Sequence, residues 1–368
     1  MNFTPSQQAA FDSYLNQENI FITGPGGCGK SYFIQQVYKH AKENGKNIRI
    51  TSMTGCSAIL LNCGATTIHK WGCLGLGKGE EFDMYKKILK MKRQGNYIDT
   101  DILVLDEISM LNEKLFEVLD YLCKSFRKVR DKPFGGLQLI CSGDFYQLPP
   151  VCTDRTVSAE SNFCFESSLW DETFHNSYLF DVNFRQHEDP CYFDMLQEIR
   201  RGQVSFDTVA QLIECSKKTL DPEDPIKPTK IFPIKKTVDS INQGELNKRT
   251  EKKYPYHCKF YHNNTLLPTL KHCPEKAIQT EMDYMVKNSM FEEELSICVG
   301  CQVMCICNLD QEKNLVNGSQ GVVLEFQYNA EKNNYYPLVK FDKVDEPVLI
   351  QEHPWLVESN TKFSIHQL

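Results

Sequence analysis

The stretch Gly24-Pro25-Gly26-Gly27-Cys28-Gly29-Lys30-Ser31 decides which fold this chain can adopt. It fits the pattern G-x-x-x-x-G-K-[ST]. The apolar run 19–23 before it predicts a buried strand, and apolar residues at helical spacing follow it from Phe33 to Ala41. In such a strand–loop–helix unit the backbone N–H groups face phosphate oxygens. We therefore expect the whole stretch to cradle a nucleotide triphosphate, with Lys30 at the β- and γ-phosphates and Ser31 on Mg²⁺. The alternative, a glycine-rich turn without a ligand, does not account for the strand and helix beside it.

The composition is that of an ordinary globular chain long enough for two or three domains. It has 368 residues, of which 41% are hydrophobic and 24% charged, and a net charge of −7. No apolar run reaches the roughly 18 residues of a membrane span, and the N-terminus is neither a signal nor a transit peptide. These features predict a soluble intracellular protein, cytoplasmic or nuclear, that is not secreted. The charge argues against wholesale polyanion binding but allows a local basic track.

Sixteen cysteines require an explanation, because the chain is neither short nor loop-rich like a disulfide scaffold. The pair Cys298-x-x-Cys301, with Cys305 and Cys307 nearby, lies in what the pattern predicts to be extended chain. Residues three apart on a strand point to opposite faces, and zinc would need a turn and a second ligand pair. We expect reduced structural thiols, with zinc at Cys298 and Cys301 as the alternative.

A second motif, Ile102-Leu103-Val104-Leu105-Asp106-Glu107, predicts a buried parallel strand that ends in two carboxylates. Ligands of open α/β sheets bind at such strand ends. Asp106 would hold the Mg²⁺ that Ser31 also contacts, and Glu107 would orient and deprotonate the attacking water. The alternative is an acidic pair that faces solvent.

Two more runs, Leu137–Cys141 and Ile48–Ser52, predict further strands. The first leads to Gln147, whose amide could sense the γ-phosphate or could simply be exposed in a proline-terminated loop. The second leads to the small-residue turn 54–58 and then a helix.

Together these motifs resemble the Pif (petite integration frequency) helicases, in the RecD-like branch of helicase superfamily one. The motifs occur in order as Gly24 to Ser31, Thr54-Gly55-x-x-Ala58, Gly64-x-x-Thr67-Ile68-His69, Asp106-Glu107-Ile108-Ser109-Met110 and Gly143-Asp144-Phe145-x-Gln147-Leu148-Pro149-Pro150. Later segments that agree are Asn183-Phe184-Arg185-Gln186, Phe193-x-x-x-Leu196-x-x-Ile199-Arg200-x-Gly202, Val299-Gly300-x-Gln302-Val303-Met304 and Leu315-Val316-Asn317-Gly318-x-Gln320-Gly321-Val322-Val323. The resemblance extends from Thr4 to about Val323.

The resemblance implies an α/β fold with two RecA-like P-loop domains, each a parallel sheet flanked by helices, and ATP in the cleft between them. Gln7 would read adenine, although Thr4-x-x-Gln7 with Pro5 is also a helix capping box. Arg185 would be an arginine finger on the transferring phosphoryl group; a surface salt bridge is the alternative.

For DNA, the resemblance implies a single strand that crosses both domains. Thr54, Thr67, His69 and Lys70 are the candidate contacts, because their groups suit phosphate oxygens. Trp71 could stack on a base or be a partly buried aromatic. An insertion at about 72–98 would form a wedge at the junction of single and double strand, where the basic run 86–93 would face DNA or be a solvated helix face.

The implied domains are 1–180 for the first RecA-like domain with its wedge and 181–253 for the start of the second. The second would contain a strand at Lys230–Ile234 and a helix from Val238. The range 254–368 is rich in short β-like runs and would be a small SH3-like insertion. Late family motifs are not found before Leu368, so we interpret the chain as a fragment; a natural truncation that cannot unwind DNA is the alternative.

The resulting expectation is an ATP hydrolase that acts as a 5′ to 3′ DNA helicase in replication, repair, recombination or telomere maintenance. Its cofactors would be ATP and Mg²⁺, and its partners single-stranded DNA and single/double-strand junctions, with a monomer as the active form. The alternatives are a RecD- or relaxase-type helicase with the same chemistry, and an ATP-regulated DNA-binding module without unwinding activity.

Overall fold

The structure is a computed structural model with two compact units, Met1–Lys217 and Lys218–Leu368, which we treat separately. It describes residues 3–61, 63–75, 80–150, 162–219, 226–276, 278–279, 282–283, 286, 292–307, 309–310, 315–342, 344–356 and 362–368. None of the helices among these residues has the length and apolar character that crossing a membrane requires.

Unit 1 contains a parallel sheet of six strands in the order β3-β2-β4-β5-β1-β6. The strands are β1 Ile20–Thr23, β2 Ile48–Ser52, β3 Thr66–Thr67, β4 Ile102–Asp106, β5 Gln138–Gly143 and β6 Asn176–Leu179. The helices are α1 Pro5–Leu15, α2 Lys30–Glu43, α3 Gly55–Leu61, α4 Ile68–Trp71, α5 Glu81–Lys90, α6 Gly95–Ile98, α7 Glu113–Arg127, α8 Leu169–Thr173, α9 Pro190–Arg201 and α10 Phe206–Ser216. Short 3-10 turns occupy Ile108–Met110, Pro133–Gly136 and Cys164–Glu166.

The central strand β4 is buried on both faces, as its unbroken apolar run predicts. Leu103 and Leu105 pack into one hydrophobic cluster, which contains much of α7. Ile102 and Val104 point the opposite way into a second cluster, which contains much of α2. The alternation of side chains along a strand therefore builds a core on each side of the sheet, and the predicted α/β class is confirmed.

Helices α5 and α6 lie within the range predicted for the wedge, although residues 76–79 of that range are outside the described residues. Met84 and Ile88 of α5 are buried in the cluster that α7 shares, while Lys86 and Lys90 are exposed. The basic run thus occupies the solvent face of an anchored helix, and its contact with DNA stays a prediction.

Two more helices follow the sheet within unit 1. α9 has Asp189 as its N-cap and ends at Gly202 in the left-handed conformation, with φ +68°. α10 begins after Ser205, whose hydroxyl accepts a hydrogen bond from the Thr208 N–H. Both helices belong to the first compact unit, which ends at Lys217. The sequence predicts the start of a second RecA-like domain earlier, near residue 181. The predicted domain boundaries stay predictions.

The described residues of unit 2 include one long helix and small antiparallel sheets. Its elements are α11 Lys235–Lys248, β7 Tyr254–His257, β8 Lys259–His262, β9 Thr265–Leu267, β10 Glu294–Ile297, β11 Gln302–Met304, β12 Gln320–Asn329, β13 Asn334–Phe341, β14 Val348–Leu349, β15 His353–Leu356 and β16 Phe363–Gln367. The sheets have the orders β10-β7, β11-β12-β13-β14 and β15-β16-β8-β9. The β-like runs of the sequence at 302–307, 321–326, 337–341 and 347–350 each contain a strand.

Two local predictions in unit 2 are wrong. Lys230–Ile234 is irregular chain before α11 and not a strand. It contains Pro233, which has no N–H to give to a sheet ladder. The segment from Cys298 to Cys301 is not extended, because a turn at Val299 and Gly300 separates β10 from β11.

Candidate nucleotide and DNA site

The phosphate loop lies between β1 and α2, as its pattern predicts. Gly27 and Gly29 have φ values of +86° and +81°, which residues with a side chain rarely adopt. Lys30 begins α2, and its Nζ donates hydrogen bonds to the carbonyl oxygens of Gly24 (2.6 Å) and Pro25 (2.9 Å). The lysine ammonium is therefore held over the loop, while the Ser31 side chain on the next position is exposed.

Burial and nearby carboxylates have opposite effects on the pKa of Lys30. Burial lowers the pKa of the Lys30 ammonium, and the charges of Asp144 and Glu107 oppose this effect. Those carboxylates follow β5 and β4, which are neighbours in the sheet, and β5 also pairs with β1. The sheet order thus brings the loop lysine and the carboxylates from two other strands to one edge.

Asp106 and Glu107 end β4 in different environments. Asp106 is 5% exposed, and burial raises the pKa of its carboxyl, an effect that the Ser142 hydroxyl and the Lys30 charge oppose. Burial and the adjacent Asp106 both raise the pKa of Glu107. Glu107 also has φ +57°, a strained conformation for a residue with a side chain.

Gln7 has both features that the sequence leaves open. Its Oε1 accepts a hydrogen bond from the Thr4 N–H (3.1 Å), and the Thr4 hydroxyl accepts one from the Gln7 N–H, so the capping box is confirmed. The Gln7 Nε2 is buried without a hydrogen-bond partner, and it would lie 2.7 Å from a Cβ at Gly29. A buried amide donor without a partner is costly, so this atom beside the phosphate loop suits a ligand that accepts a hydrogen bond.

The segment Asn183–Gln186 lies against the other side of the phosphate loop. The Phe184 N–H donates to the Gly27 carbonyl (3.0 Å), and a Cβ at Gly27 would lie 2.6 Å from the Cβ of Arg185. The Gln186 Oε1 is buried there without a hydrogen-bond partner. Arg185 itself is exposed beside the loop, a place that favours the arginine finger over a remote surface salt bridge.

Two residues that we assigned no role from the sequence, Asp144 and Arg200, form an ion pair in which the carboxylate is buried and the guanidinium is partly exposed. Arg200 donates from Nε to Oδ2 (2.7 Å) and from Nη2 to Oδ1 (2.6 Å) of Asp144. The Gln147 Nε2 donates to the same Oδ2 (3.2 Å), so the predicted phosphate sensor is tied to this pair, and its side chain is exposed. Arg200 also stacks on Tyr146, 4.6 Å from the ring centre. Both residues lie within motifs quoted above, but nothing in either motif indicates their contact.

The candidate DNA contacts follow two adjacent parallel strands, β2 and β3. Thr54 accepts a hydrogen bond from the Ser57 N–H (3.2 Å), and Thr67 accepts one from the Lys70 N–H (3.3 Å), so both threonines cap helices. Burial lowers the pKa of His69, which therefore stays neutral at pH 7. All four candidates are partly exposed at one edge of the sheet.

Trp71 is not available to stack on a base. It is 5% exposed and packs on Tyr97 with ring centres 4.8 Å apart, inside the cluster that contains Leu103. Of the two roles considered, the buried aromatic is the one observed.

Metal binding has partial support in the site. No cluster of three or more His, Cys, Asp or Glu residues that could hold a metal occurs in the described part of the chain. A Mg²⁺ here would depend on the hydroxyl of Ser31, the carboxylate of Asp106 and oxygens of the nucleotide. The buried Asp106, whose pKa burial raises, suits a neighbouring cation. Among the described residues, Cys298 and Cys301 have no third ligand that would complete a zinc site.

This combination of a parallel sheet, a phosphate loop and an acidic strand end defines a P-loop α/β fold of RecA type. The chain belongs to the PIF1-like helicase family, whose model matches residues 2–209, and a model of the "DNA helicase Pif1, 2B domain" matches residues 285–326. The predicted family is therefore confirmed.

Individual relatives agree. The "ATP-dependent DNA helicase PIF1" of Saccharomyces cerevisiae is 34% identical over 316 residues, which are 84% of this chain and 34% of that protein. The crystal structure of Pif1 helicase from Candida albicans is 31% identical with a TM-score of 0.77, over 100% of this chain and 83% of that one. Pif1 from Bacteroides in complex with ADP-AlF3 and ssDNA is 24% identical with a TM-score of 0.60 over 100% and 81% of the chains, which shows the shared fold. The chain spans about a third of the length of its yeast relative.

Proposed function

We propose that this chain carries the ATP-hydrolysing site of an ATP-dependent DNA helicase. The observation that carries the proposal is the convergence of Lys30, Glu107 and Asp144 from three adjacent strands at one sheet edge, close enough for their charges to act on one another. The family membership supplies the activity class. The yeast and Candida relatives are named as helicases of this kind.

ATP binding would use the phosphate loop together with Gln7 and Asp106. The N–H groups from Gly27 to Ser31 would face the phosphates at the start of α2, and Lys30 would exchange its contacts with the Gly24 and Pro25 carbonyls for phosphate oxygens. The unpartnered Gln7 Nε2 would donate to the adenine ring. Bound Mg²⁺, held by Ser31 and Asp106, would neutralise charge on the β- and γ-phosphates.

Hydrolysis would depend on Glu107 and Arg185. Glu107 would accept a proton from the attacking water. Its raised pKa suits this role, because a general base works best when its pKa lies near the working pH. Arg185, beside Gly27, would stabilise charge on the transferring phosphoryl group. Gln147 would respond to the γ-phosphate through its hydrogen bond to Asp144, so the sensor, Asp144 and Arg200 on α9 would move as one set.

DNA would lie along the edge that carries Thr54, Thr67, His69 and Lys70. Support comes from the family, of which the Bacteroides member was solved in complex with ssDNA. Translocation from 5′ to 3′, a wedge at 72–98, a second RecA-like domain from 181 and an SH3-like insertion from 254 are parts of the same proposal. We further propose that the protein acts inside the cell as a monomer on single-stranded DNA and junctions.

The test combines two assays on three variants. Lys30→Ala should lose ATP binding and turnover, whereas Glu107→Gln should keep ATP binding and lose turnover by about 100-fold or more. Glu43→Gln, at the exposed end of α2, is the matched control and should behave as the parent. The first assay is ATPase activity with and without single-stranded DNA, and the second is unwinding of a forked duplex. ATPase activity indifferent to DNA would overturn the motor proposal, and DNA-stimulated ATPase without unwinding would support an ATP-regulated DNA-binding module.

A further inference from the structure

The turn between β10 and β11 in unit 2 holds the sequence Cys298-Val299-Gly300-Cys301. The Cys301 N–H donates to the Cys298 carbonyl (3.1 Å), and Gly300 has φ +78°. These are the marks of a type II β-turn, which requires a positive φ at its third residue and therefore favours glycine there. A Cβ at Gly300 would also lie 2.7 Å from the Nη1 of Arg249, which could swing aside, so the positive φ is the constraint that favours glycine.

This turn brings two thiols together. The Sγ atoms of Cys298 and Cys301 are 3.3 Å apart, and the Cys298 N–H donates to the Cys301 sulfur (3.4 Å). The ends of a β-turn lie within about 7 Å of each other at Cα, a separation that a disulfide can bridge. Both cysteines are free thiols.

The two thiols differ in access. Cys298 is fully buried, whereas Cys301 is partly exposed, so a small oxidant in solvent reaches Cys301 first. Burial raises the pKa of the Cys298 thiol to about 11, an effect reinforced by its contact with Cys301. Cys298 lies behind its neighbour, within 3.3 Å of the Cys301 sulfur, and is therefore placed to react second.

A metal is a poor occupant of this pair. Two sulfurs make half of a structural zinc site, and the described residues offer no third ligand. Cys305, the next cysteine, is buried in the apolar cluster with Leu315 and Val323.

We propose that Cys298 and Cys301 form a reversible dithiol–disulfide site that peroxide oxidises. The Cys301 thiolate attacks one peroxide oxygen, the O–O bond breaks, and hydroxide leaves with the sulfenic acid as the product. The Cys298 sulfur then attacks the sulfenic sulfur; the S–S bond forms, and the thiol proton leaves with the hydroxyl as water. Two thiols lose two electrons, and one peroxide becomes two waters. A thiol reductant reverses the oxidation by exchange.

The cross-link would fix the turn that connects two sheets. β10 pairs with β7, whereas β11 pairs with β12, and the four-residue turn between them is the direct connection along the chain. A disulfide across so short a loop adds little stability by chain entropy. Its effect is to stiffen this connection in response to oxidants.

The test uses the whole chain in the double variant Cys305→Ser/Cys307→Ser. Trypsin then releases residues 288–313 with Cys298 and Cys301 as the only thiols. After treatment with hydrogen peroxide and alkylation under denaturing conditions, this peptide should be lighter by about 2 Da and unalkylated. After dithiothreitol it should take up two alkyl groups.

The matched control is the variant Cys298→Ser/Cys301→Ser, whose peptide keeps Cys305 and Cys307. The exposed Cys191 reports general oxidation in every sample. The proposal is overturned if Cys298 and Cys301 remain alkylatable while Cys191 is oxidised, or if Cys305 and Cys307 link to the same extent. Stoichiometric zinc that protects both thiols from alkylation would also overturn it.

Discussion

Removing one partner of the ion pair between Asp144 and Arg200 should destabilise unit 1. The loss of free energy of unfolding should depend on which partner is removed. The Asp144 side chain is 1% exposed and that of Arg200 is 17% exposed. Removing one partner of a buried pair costs about 3–5 kcal/mol, because the other charge is left uncompensated. In Arg200→Ala the buried carboxylate loses both guanidinium hydrogen bonds, so we expect a loss of about 3 kcal/mol in the free energy of unfolding. In Asp144→Asn the arginine can turn to solvent, so we expect a smaller loss of about 1–2 kcal/mol.

Tryptophan fluorescence can report this loss from unit 1 alone. The chain has three tryptophans, of which Trp71 and Trp170 pack in unit 1, so a Trp355→Phe background leaves only those two. Urea unfolding of the two single variants and the double variant then gives a double-mutant cycle. A coupling energy below about 0.5 kcal/mol, or a larger loss in Asp144→Asn than in Arg200→Ala, would refute the reasoning.

The pH dependence provides an independent check on the same pair. Burial alone would raise the pKa of Asp144, but hydrogen bonds from Arg200, Gln147 and the Tyr146 N–H hold it below its ordinary value. The pair therefore stabilises the folded state above the ordinary aspartate pKa of about 3.9, and this contribution disappears as the pH falls through the lowered value. In Arg200→Ala the guanidinium no longer opposes the effect of burial on the pKa of Asp144. The loss of unfolding free energy relative to the parent should therefore be largest at neutral pH and should shrink near pH 4. A deficit independent of pH would indicate lost packing of Arg200 and not a lost charge pair.

Three other predictions concern the nucleotide site. Gly24→Ala, at φ +148°, places a Cβ 2.1 Å from the Phe180 carbonyl oxygen. The control Gly45→Ala, at φ +68° with open space around it, should cost roughly 1 kcal/mol of unfolding free energy. Urea unfolding should show a larger loss for Gly24→Ala than for this control. Gln7→Met removes the unpartnered amide, so it should weaken ATP binding and reduce the preference for ATP over GTP. The control Thr4→Val should lose the helix cap and keep this preference. Competition binding with both nucleotides measures the preference. Since Glu107 must be deprotonated to act as a base, kcat should fall as the pH drops through its raised pKa, above the ordinary 4.5, and a profile that is flat down to that value would contradict the assignment.

Patterns that extend over neighbouring residues predicted most of unit 1. β1 and β4 occur where apolar runs place them, because a run buried on both faces of a parallel sheet leaves a local signature. The phosphate loop was predictable for the same reason, since its strand, turn and helix are consecutive. The wrong strand at Lys230–Ile234 has apolar residues but Pro233 among them, and a strand also needs a partner, which a local pattern cannot reveal.

Contacts between distant residues were beyond the same reasoning. Arg200 is 56 residues from Asp144 along the chain, and an arginine on a helix gives no sign of the carboxylate it meets. The error at Cys298 and Cys301 is of another kind. Gly300 between them was a turn signal, but the apolar neighbours on both sides favoured an extended interpretation.

Gly27 shows how the fold adds requirements to the phosphate loop. The pattern demands glycine at positions 24 and 29 but allows any residue at 27. In the structure a Cβ at Gly24 would strike Phe180, one at Gly27 would strike Arg185, and one at Gly29 would strike the Gln7 amide. The residues Phe180, Arg185 and Gln7 therefore approach the loop so closely that a Cβ on the facing glycine would collide with them. Because α1 and the segment 183–186 both contact this loop, any shift of its backbone on nucleotide binding must move them or be resisted by them. The extra glycine is thus explained by the close approach of Arg185, which lies in the segment just before α9.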